Sequence, residues 1–412
     1  MLRIRVAVLL LLVLLAPAGV PAQGSGTLIV NANVIDGVSA EPIRGAHVLI
    51  RNGRIEKIAP GKAEAPADVT VIDLQGRWLL PGMIDGHVHI TDQRAARLAL
   101  ASGVTTARSM GVSHFVDVGL RELHRAGDNS IPDFIAAGYH VRPNVAAEFA
   151  LQRPDLRELL SNLRGEENVR RVVRAMVERK VDVIKILATE RAGLPDTDPR
   201  KRTFSEAEMV AIVDEARKGG ITVAAHAHGE EGGAAAVRAG VKTIEHGTYL
   251  SNATLKLMAE RGTCLDPTIA TVADLIEPGG DYDNALLSIR GTTMLPRIRE
   301  TTQHALKFGV MVVAGTDTGY GPNSARRMGH EVMELVALGM PPMDAIKAAT
   351  STAAACYGIE KRTGAIKTGL EADLIVIERD PRSHPTDLLD ILVVINDGHV
   401  AINRLQMEAA SR

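Results

Sequence analysis

The sequence predicts an α/β protein: a (β/α)₈ TIM-like barrel with a small β-sandwich domain formed by the N- and C-terminal segments. Short apolar runs alternate with amphipathic segments through the middle of the chain, which is typical of a parallel sheet. Runs rich in β-branched residues and separated by turn-forming glycines occupy both ends. Histidine, lysine and aspartate follow or end several central runs, where barrel enzymes hold their functional groups.

Residues 1–22 are predicted to be a secretory signal rather than part of the fold. Arg3 and Arg5 precede an unbroken apolar run over residues 6–15, and residues 20–22 place small side chains before a cleavage point. The run is short for a membrane span. We therefore expect a periplasmic or secreted protein without membrane attachment after signal cleavage; an uncleaved membrane anchor is the alternative.

The predicted β-sandwich is built from residues 23–80 and residues 365–412. Both segments contain short β-branched runs broken by pairs in which glycine supports a tight turn. The clearest pairs are Asn52-Gly53, Gln75-Gly76 and Asp397-Gly398. The simplest interpretation is one β domain to which both chain ends contribute.

The barrel is predicted over residues 81–364. Eight apolar runs there are expected as strands, beginning with Met83 to Ile90 and continuing with GVTTAR, DFIAAGYH, VDVIKILA, ITVAAHAHG, VKTIEHG, GTCLDPT and GVMVVAGTD. Amphipathic segments such as residues 206–218 and 252–261 separate most of them. Eight such units favour a closed barrel over an open sheet.

Composition excludes some classes of function. The formal net charge is −2 and aromatic residues make up 3% of the chain, so neither charge nor base stacking favours a nucleic-acid partner. The two cysteines, Cys264 and Cys356, form no CxxC motif or zinc-finger spacing. Two buried thiols are the preferred interpretation, and a disulfide stays open for an exported protein.

The motif HVH places His87 and His89 at the end of the first barrel strand. Side chains two residues apart on a strand point to one face, so both imidazoles can bind one divalent ion. A chain with 13 histidines can contain this spacing by chance. His226, His246 and Asp317 end three further runs, and this coincidence favours a metal site over isolated core histidines and a turn-capping aspartate.

Lys185 differs from these residues because an ammonium group cannot bind a cation. It lies within the apolar run VDVIKILA, where burial beside metals lowers the pKa of a lysine. A neutral amine can add CO₂ to form a carbamate, whose two oxygens can bridge two metal ions. The alternative is a lysine that extends to the barrel rim.

The motifs LPGMIDGHVH, IKI, VAAHAHG, TIEHG and AGTDTG together resemble the amidohydrolase superfamily, in particular its prolidase-like and imidazolonepropionase-like members. The resemblance implies two divalent metal ions, with Zn²⁺ favoured. One is expected to be bound by His87, His89 and Asp317, and the second by His226 and His246. A carboxylated Lys185 and a hydroxide are expected to bridge both ions.

Substrate contacts are predicted at His140, Arg142 and Tyr249. His140 resembles the family's Gly-Gly-His element, although Tyr139 replaces the second glycine. Arginine or tyrosine at the barrel mouth could bind a substrate carboxylate, and packing roles are the alternative. His228 is expected to support the site indirectly. The segment ATERAGLPDTDPRKR departs from the family after Lys185 and leaves substrate identity open.

We therefore expect an exported metal-dependent amidohydrolase that cleaves an amide bond in an X-Pro-like dipeptide or an N-acyl amino acid. A metal-bridged hydroxide is the expected nucleophile, and Asp317 the expected proton carrier. Hydrolysis of a cyclic amide, lactone or phosphoester at the same site is one alternative, and a catalytically silent binding protein is another. The expected partner is a small molecule or short peptide; a homo-oligomer stays open.

Overall fold

The computed structural model describes residues 26–322 and 324–405, so the predicted signal lies outside the described residues. The described strands are β1 Gly26–Val34, β2 Ile43–Arg51, β3 Arg54–Pro60, β4 Val69–Asp73, β5 Trp78–Pro81, β6 Met83–Val88, β7 Val104–Ser109, β8 Asp133–Ile135, β9 Val183–Leu187, β10 Thr222–Ala227, β11 Thr243–His246, β12 Cys264–Asp266, β13 Leu374–Ile377, β14 Val393–Asn396 and β15 His399–Asn403.

The described helices are α1 Gln93–Ala101, α2 Val116–Arg125, α3 Ala147–Gln152, α4 Glu166–Glu178, α5 Glu206–Lys218, α6 Glu230–Ala239, α7 Asn252–Arg261, α8 Ile269–Asp274, α9 Ala285–Lys307, α10 Met328–Ala337, α11 Pro342–Ala348 and α12 Ser351–Tyr357. Short 3₁₀ helices occupy Ser113–Phe115, Pro154–Leu159 and Pro385–Leu389. Within the described ranges, no helix is both long and apolar enough to cross a membrane.

Strands from both ends of the chain pair in one sheet. Its order is β15-β14-β13-β5-β1-β2-β3, and β4 pairs with β1 beside β5. The antiparallel pairing of β5 with β13 joins the two ends, with Leu374 opposite Pro81. Ile29, Val48 and Val376 belong to one buried cluster on this sheet.

Two of the predicted turns close hairpins of this sheet. Asn52 and Gly53, between β2 and β3, both have positive φ, at 51° and 74°. Asp397 and Gly398 connect β14 to β15 and have φ of 49° and 76°. Two consecutive positive φ values are the requirement of a type I′ turn, which explains the Asn-Gly and Asp-Gly pairs.

The central strands pair in parallel. One sheet has the order β6-β7-β8 and another the order β12-β11-β10-β9. Isolated parallel bridges between Val141 and Ile186 and between Leu265 and Val312 extend these sheets, and a third bridge joins Val88 to Thr318. The pairing therefore runs from β6 through β12 and returns to the end of β6.

The predicted strand GVMVVAGTD does not form a regular ladder. Its backbone N–H groups bond to several different parts of the chain: Val313 donates to Leu265 O, Ala314 to Ala348 O, and Thr316 to the side chain of Asp85. A regular strand would direct alternate groups to one neighbour. The segment is instead an irregular connector that reaches the end of β6.

The two cysteines form a disulfide, which corrects the preference for two separate thiols. Cys264 begins β12 and Cys356 lies in α12, with the two Cα atoms 6.5 Å apart. The sequence separation of 92 residues gave no signal for this contact. The fold brings the two residues together because α12 packs against β6 and β12 in one buried cluster.

Glu331 is a buried carboxyl group that makes the stability of the fold sensitive to pH. Its buried carboxyl group accepts from the backbone N–H groups of Ile269 and Ala270, 3.0 and 2.7 Å away at the start of α8. Burial raises the pKa of Glu331 to about 8 despite these hydrogen bonds. The carboxyl group is therefore mostly protonated in the folded protein at neutral pH.

We expect the free energy of unfolding to fall between pH 5 and pH 8 in part because of Glu331. In the folded protein the pKa of Glu331 is raised from 4.5 to about 8. The resulting stabilisation of the folded state is fully present below pH 4.5 and is lost as pH rises through 8. Glu331→Gln should remove about 3–5 kcal/mol of this pH dependence, measured by denaturant unfolding. The exposed control Glu300→Gln should keep the wild-type slope; a wild-type slope in Glu331→Gln would contradict the assignment.

Candidate active site

One cavity collects the residues that the sequence singled out as metal ligands. It is lined by His87, His89, Lys185, His226, His246 and Asp317, together with His140 and His228. The cavity volume is about 30 Å³, enough for one or two water molecules.

His87 and His89 each have one ring nitrogen fixed by a hydrogen bond. His87 Nδ1 lies 3.0 Å from the Glu245 carboxylate, and His89 Nδ1 lies 2.8 Å from the carbonyl oxygen of Gly111. Because carboxylate and carbonyl oxygens only accept, Nδ1 carries the proton in both rings. When such a ring is neutral, its Nε2 atom carries the lone pair that a metal ion would bind.

Gly111 is required at its position by both conformation and space. Its φ is +119°, and a Cβ atom there would lie 2.5 Å from His140 Nε2. The absence of a side chain lets the Gly111 carbonyl reach His89 while His140 packs against the same backbone.

A second group of histidines faces the first. His226, His228 and His246 offer nitrogen atoms that all lie within 4.8 Å of one another. His226 Nε2 is 3.1 Å from the carbonyl oxygen of Glu190, which leaves Nδ1 of His226 unprotonated in the neutral ring. His228, expected to act indirectly, lies stacked on His246 with ring centroids 4.5 Å apart.

Asp317 lies beside the first histidine pair. Its Oδ1 is 3.0 Å from His89 Nε2 and 3.5 Å from His87 Nε2. Burial opposes ionisation, but interactions with His87, His89 and Lys185 hold the pKa of Asp317 below its usual value. Oδ1 is buried, and no hydrogen-bond partner for it exists among residues 26–322 and 324–405.

Most of the groups that line the cavity are therefore hydrogen-bond acceptors that face one another without a proton between them. Burial lowers the pKa of His87 to about 4 and that of His228 to about 3, so both rings are neutral near pH 7. It also lowers the pKa values of His226 and His246 well below the ordinary histidine value. Neutral imidazoles that face an ionised carboxylate suit divalent cations, which would bind between these atoms.

Lys185 lies within this group, at the middle of β9. Its side chain is 1% exposed, and Nζ is 3.2 Å from His87 Nε2. Burial lowers the pKa of Lys185 to about 8, although Glu245 and Asp317 oppose the shift. An appreciable fraction of the side chain is therefore a neutral amine close to physiological pH.

Glu245 orients His87 from beneath the cavity. Its carboxylate accepts from His87 Nδ1, from the Thr243 hydroxyl and from the guanidinium of Arg108, 3.3 Å away. Arg108 also donates to Gly86 O and Thr243 Oγ1. Burial opposes ionisation, but Arg108, Lys185 and His87 lower the pKa of Glu245, so it stays a carboxylate.

Glu245→Gln is expected to weaken metal binding about 10- to 100-fold without unfolding the protein. A glutamine cannot hold the proton on His87 Nδ1 as firmly as the buried carboxylate does. Competition with a chelator of known affinity measures the effect, and the exposed residue Glu260 supplies the control variant Glu260→Gln. Equal metal affinity in both variants would contradict the orienting role.

The backbone around Asp317 is held by Asp85. The Asp85 carboxylate accepts from Thr316 N at 2.9 Å, from the Thr316 hydroxyl at 2.7 Å and from Tyr320 Oη at 2.8 Å. Asp317 itself has a φ of 53°, and His246 has a φ of 73°. Positive φ in non-glycine residues is costly, and these two cases coincide with expected metal ligands.

The expected substrate-binding residues are not all at the cavity. His140 lines it, with its ring centroid 5.6 Å from that of His89. Arg142 lines an adjoining small cavity, which shares His140 with the first. Tyr249 packs against the hydrophobic core, and its backbone N–H donates to His228 O. The side chains of Arg142 and Tyr249 therefore do not line the central cavity.

Two loops contribute further residues to the wall of the central cavity. Arg191, Ala192 and Gly193 follow β9, and Tyr282 lies between α8 and α9. A Cβ atom on Gly193 would lie 2.8 Å from the Tyr282 ring, so the two loops are in close contact. The negative charge of Asp317 is the main cause that raises the pKa of Tyr282. Sequence reasoning had marked the first loop as unusual but had singled out neither Arg191 nor Tyr282.

Comparison with known proteins relates this geometry to a family. The protein-family model described as "Amidohydrolase family" matches residues 78–401 of this chain. Ochratoxinase of Aspergillus niger is 34% identical over 218 residues, which cover 53% of this chain and 45% of that protein. Imidazolonepropionase of Symbiobacterium thermophilum is 27% identical over 389 residues, covering 84% of this chain and 86% of the relative.

A solved structure of a Xaa-Pro dipeptidase with bound methionine in the active site superposes with a TM-score of 0.82. It is 29% identical and covers 91% of this chain and 99% of that one. The chain shares with it a mixed α/β fold of the TIM-barrel type. The alignment with ochratoxinase, in contrast, spans less than half the length of that relative.

Proposed function

We propose that this chain, which belongs to the amidohydrolase family, is a hydrolase of carbon–nitrogen bonds and cleaves the amide bond of an N-acyl amino acid or an X-Pro-like dipeptide. The observation that supports this most strongly is the convergence of His87 Nε2 and His89 Nε2 on the buried Oδ1 of Asp317, which has no geometrically satisfied hydrogen bond among the described residues. Such a set is stable in a buried cavity when divalent cations lie between its members.

The chain's residues suit two ions. His87, His89 and Asp317 would bind one, and His226 and His246 would bind the other, with His228 beside them. When bound, a metal pair supplies a hydroxide nucleophile near neutral pH and polarises the carbonyl group of the substrate. Zn²⁺ is the ion best matched to this mixture of imidazole and carboxylate ligands.

Lys185 is proposed to bridge the two ion positions after carboxylation. The neutral amine adds CO₂, loses one proton and becomes a carbamate with two ligand oxygens. Its burial and its 3.2 Å approach to His87 Nε2 support this role. Carboxylation also replaces a positive charge, which repels cations, by a negative one.

Asp317 is proposed to move the proton. Its lowered pKa keeps it ionised, so its carboxylate would accept a proton from the nucleophile. It then donates this proton to the leaving nitrogen, and the C–N bond breaks. The name of one structural neighbour, a Xaa-Pro dipeptidase, supports a substrate with an amide bond.

A substrate panel tests the proposal. The protein is incubated with N-acetyl amino acids, Xaa-Pro dipeptides, a lactone and a phosphotriester, before and after chelation and after restoration with Zn²⁺. We expect hydrolysis of at least one of the two amide classes, its loss on chelation and its return with zinc. Retained metal with no turnover of any amide would contradict the proposal and favour a binding protein.

We further propose that the central strands close a (β/α)₈ barrel over residues 81–364 and that the terminal segments form a separate β-sandwich. The bridges that return from β12 to β6 support closure. Export to the periplasm or the medium is also proposed. The Cys264–Cys356 disulfide supports it, because such bonds persist mainly in oxidising compartments.

A further inference from the structure

The loop between β9 and α5 places a cationic side chain at the wall of the central cavity. Arg191 lines this cavity together with Ala192 and Gly193. This is the segment that departs from the family pattern after Lys185. Arg191 itself is not among the expected metal ligands.

The other cations of this loop are already paired. Arg200 binds Asp198, Lys201 binds Glu190, and Arg202 binds Glu231 of α6. For the Arg191 guanidinium, the described part of the chain contains neither an ion-pair partner nor a hydrogen-bond acceptor. A guanidinium has five N–H donors in a planar fork that matches a carboxylate.

The backbone that positions Arg191 is held firmly. Arg290 of α9 donates to the carbonyl oxygens of Ala192, Leu194, Pro195 and Thr197, at 2.5, 2.6, 3.1 and 2.8 Å. The hydroxyl of Thr197 donates to the carbonyl oxygen of Arg191 itself. Because the backbone is fixed, only the freedom of the Arg191 side chain is lost when it binds an anion.

The position of Arg191 in so small a cavity limits where the anion lies on the substrate. The reacting carbonyl must reach Asp317, which lines the same cavity. In an acylated amino acid, only the nitrogen and the α-carbon separate the scissile carbonyl from the carboxylate. Leu187, Val272 and Leu275 also line the cavity and offer apolar surface to a side chain.

We propose that Arg191 binds the α-carboxylate of the leaving amino acid, so that the enzyme selects acylated amino acids over amides without a carboxylate. This inference rests on the proposed amide hydrolysis and deepens it. Arg191 thereby takes the role that sequence reasoning had considered for Arg142 and Tyr249. Arg290 acts as a positioning residue, since it contacts the loop and not the cavity.

The test compares two amides that differ in one group. The zinc-loaded full-length protein is assayed with N-acetyl-L-phenylalanine and with N-acetyl-2-phenylethylamine, which lacks the carboxylate. For Arg191→Met we expect kcat/KM on the first substrate to fall about 30- to 100-fold, mainly through KM. Turnover of the second substrate should not change, and Arg191→Lys should recover part of the loss.

Arg200→Met is the matched control, because Arg200 lies on the same loop, is exposed and binds only Asp198. It should retain wild-type kinetics on both amides. An unchanged preference for the carboxylate in Arg191→Met would overturn the proposal. An equal loss on both amides would also overturn it, because it would indicate a structural role.

Binding of the product separates this inference from the proposed reaction. Calorimetric titration of L-phenylalanine and 2-phenylethylamine into the zinc-loaded protein requires no turnover. We expect L-phenylalanine to bind the wild type more tightly than Arg191→Met, and 2-phenylethylamine to bind both equally. If L-phenylalanine binds the wild type and Arg191→Met equally, Arg191 does not bind the carboxylate, whether or not amides are hydrolysed.

Discussion

Replacing Asp317 by asparagine is expected to lower kcat by about 10²- to 10⁴-fold while the metal content stays close to that of the wild type. The amide oxygen of asparagine can still face His89, whose Nε2 lies 3.0 Å from Asp317 Oδ1. The amide cannot accept a proton at neutral pH, however. Turnover should therefore fall much more than metal occupancy.

Single-turnover kinetics and elemental analysis of the same preparation measure both quantities. Asp214→Asn, which changes a carboxylate of the outer helix α5 paired with Arg217, serves as the control and should retain wild-type turnover. A kcat near that of the wild type in Asp317→Asn would exclude a proton-transfer role. Complete loss of metal would show instead that Asp317 acts mainly as a ligand.

Replacing Lys185 by alanine is expected to have the second large effect. The variant lacks the amine that would become the bridging carbamate, so we expect it to bind at most one ion per chain tightly. Activity should fall by about 10³-fold or more, because the ion pair that activates the nucleophile is incomplete. The buried position of Lys185 leaves a space lined by His87 and other polar groups.

A small carboxylate should enter this space and restore part of the function. Addition of acetate or propionate to Lys185→Ala is expected to raise both metal stoichiometry and activity. The control variant Lys201→Ala removes an exposed lysine of the neighbouring loop and should respond to neither anion. Full metal content and activity in Lys185→Ala without added carboxylate would contradict the bridging role.

The sequence predicted the residues that meet in the cavity because simple geometry governs them. His87 and His89 share a face by their spacing, and the parallel strands bring Lys185, His226 and His246 to the same end of the fold. Asp317 reaches the cavity for a different reason. Its segment is irregular, but its backbone N–H donates to the carbonyl oxygen of His87 at 2.7 Å and so places it beside the histidines. Local hydrogen bonds rather than a ladder place this carboxylate.

The residues that sequence reasoning missed depend on contacts between distant segments. Glu245 immediately precedes His246, but its partner Arg108 lies on another strand, and only the fold shows that both are buried. Arg191 was one charge among several in a loop, and its lack of a partner is visible only after its neighbours are paired. The Cys264–Cys356 bond likewise links segments without a sequence signal.

The substrate contacts show why loops are harder to predict than strands. Arg142 and Tyr249 were expected at the mouth because they follow strand ends, as the metal ligands do. Arg142 instead lines an adjoining cavity that shares His140, and Tyr249 is partly buried against the hydrophobic core. Alternation of faces holds along a strand and is lost beyond it.

Metal stoichiometry tests the proposed site most directly. Metal-free protein in bicarbonate-containing buffer is titrated with Zn²⁺, and the bound ion per chain is determined by elemental analysis after gel filtration. We expect two ions per chain, with one of them lost in His246→Ala and the other weakened in His89→Ala. Binding of no ion, or equal binding by the wild type and both variants, would show that these imidazoles and Asp317 do not form a metal centre.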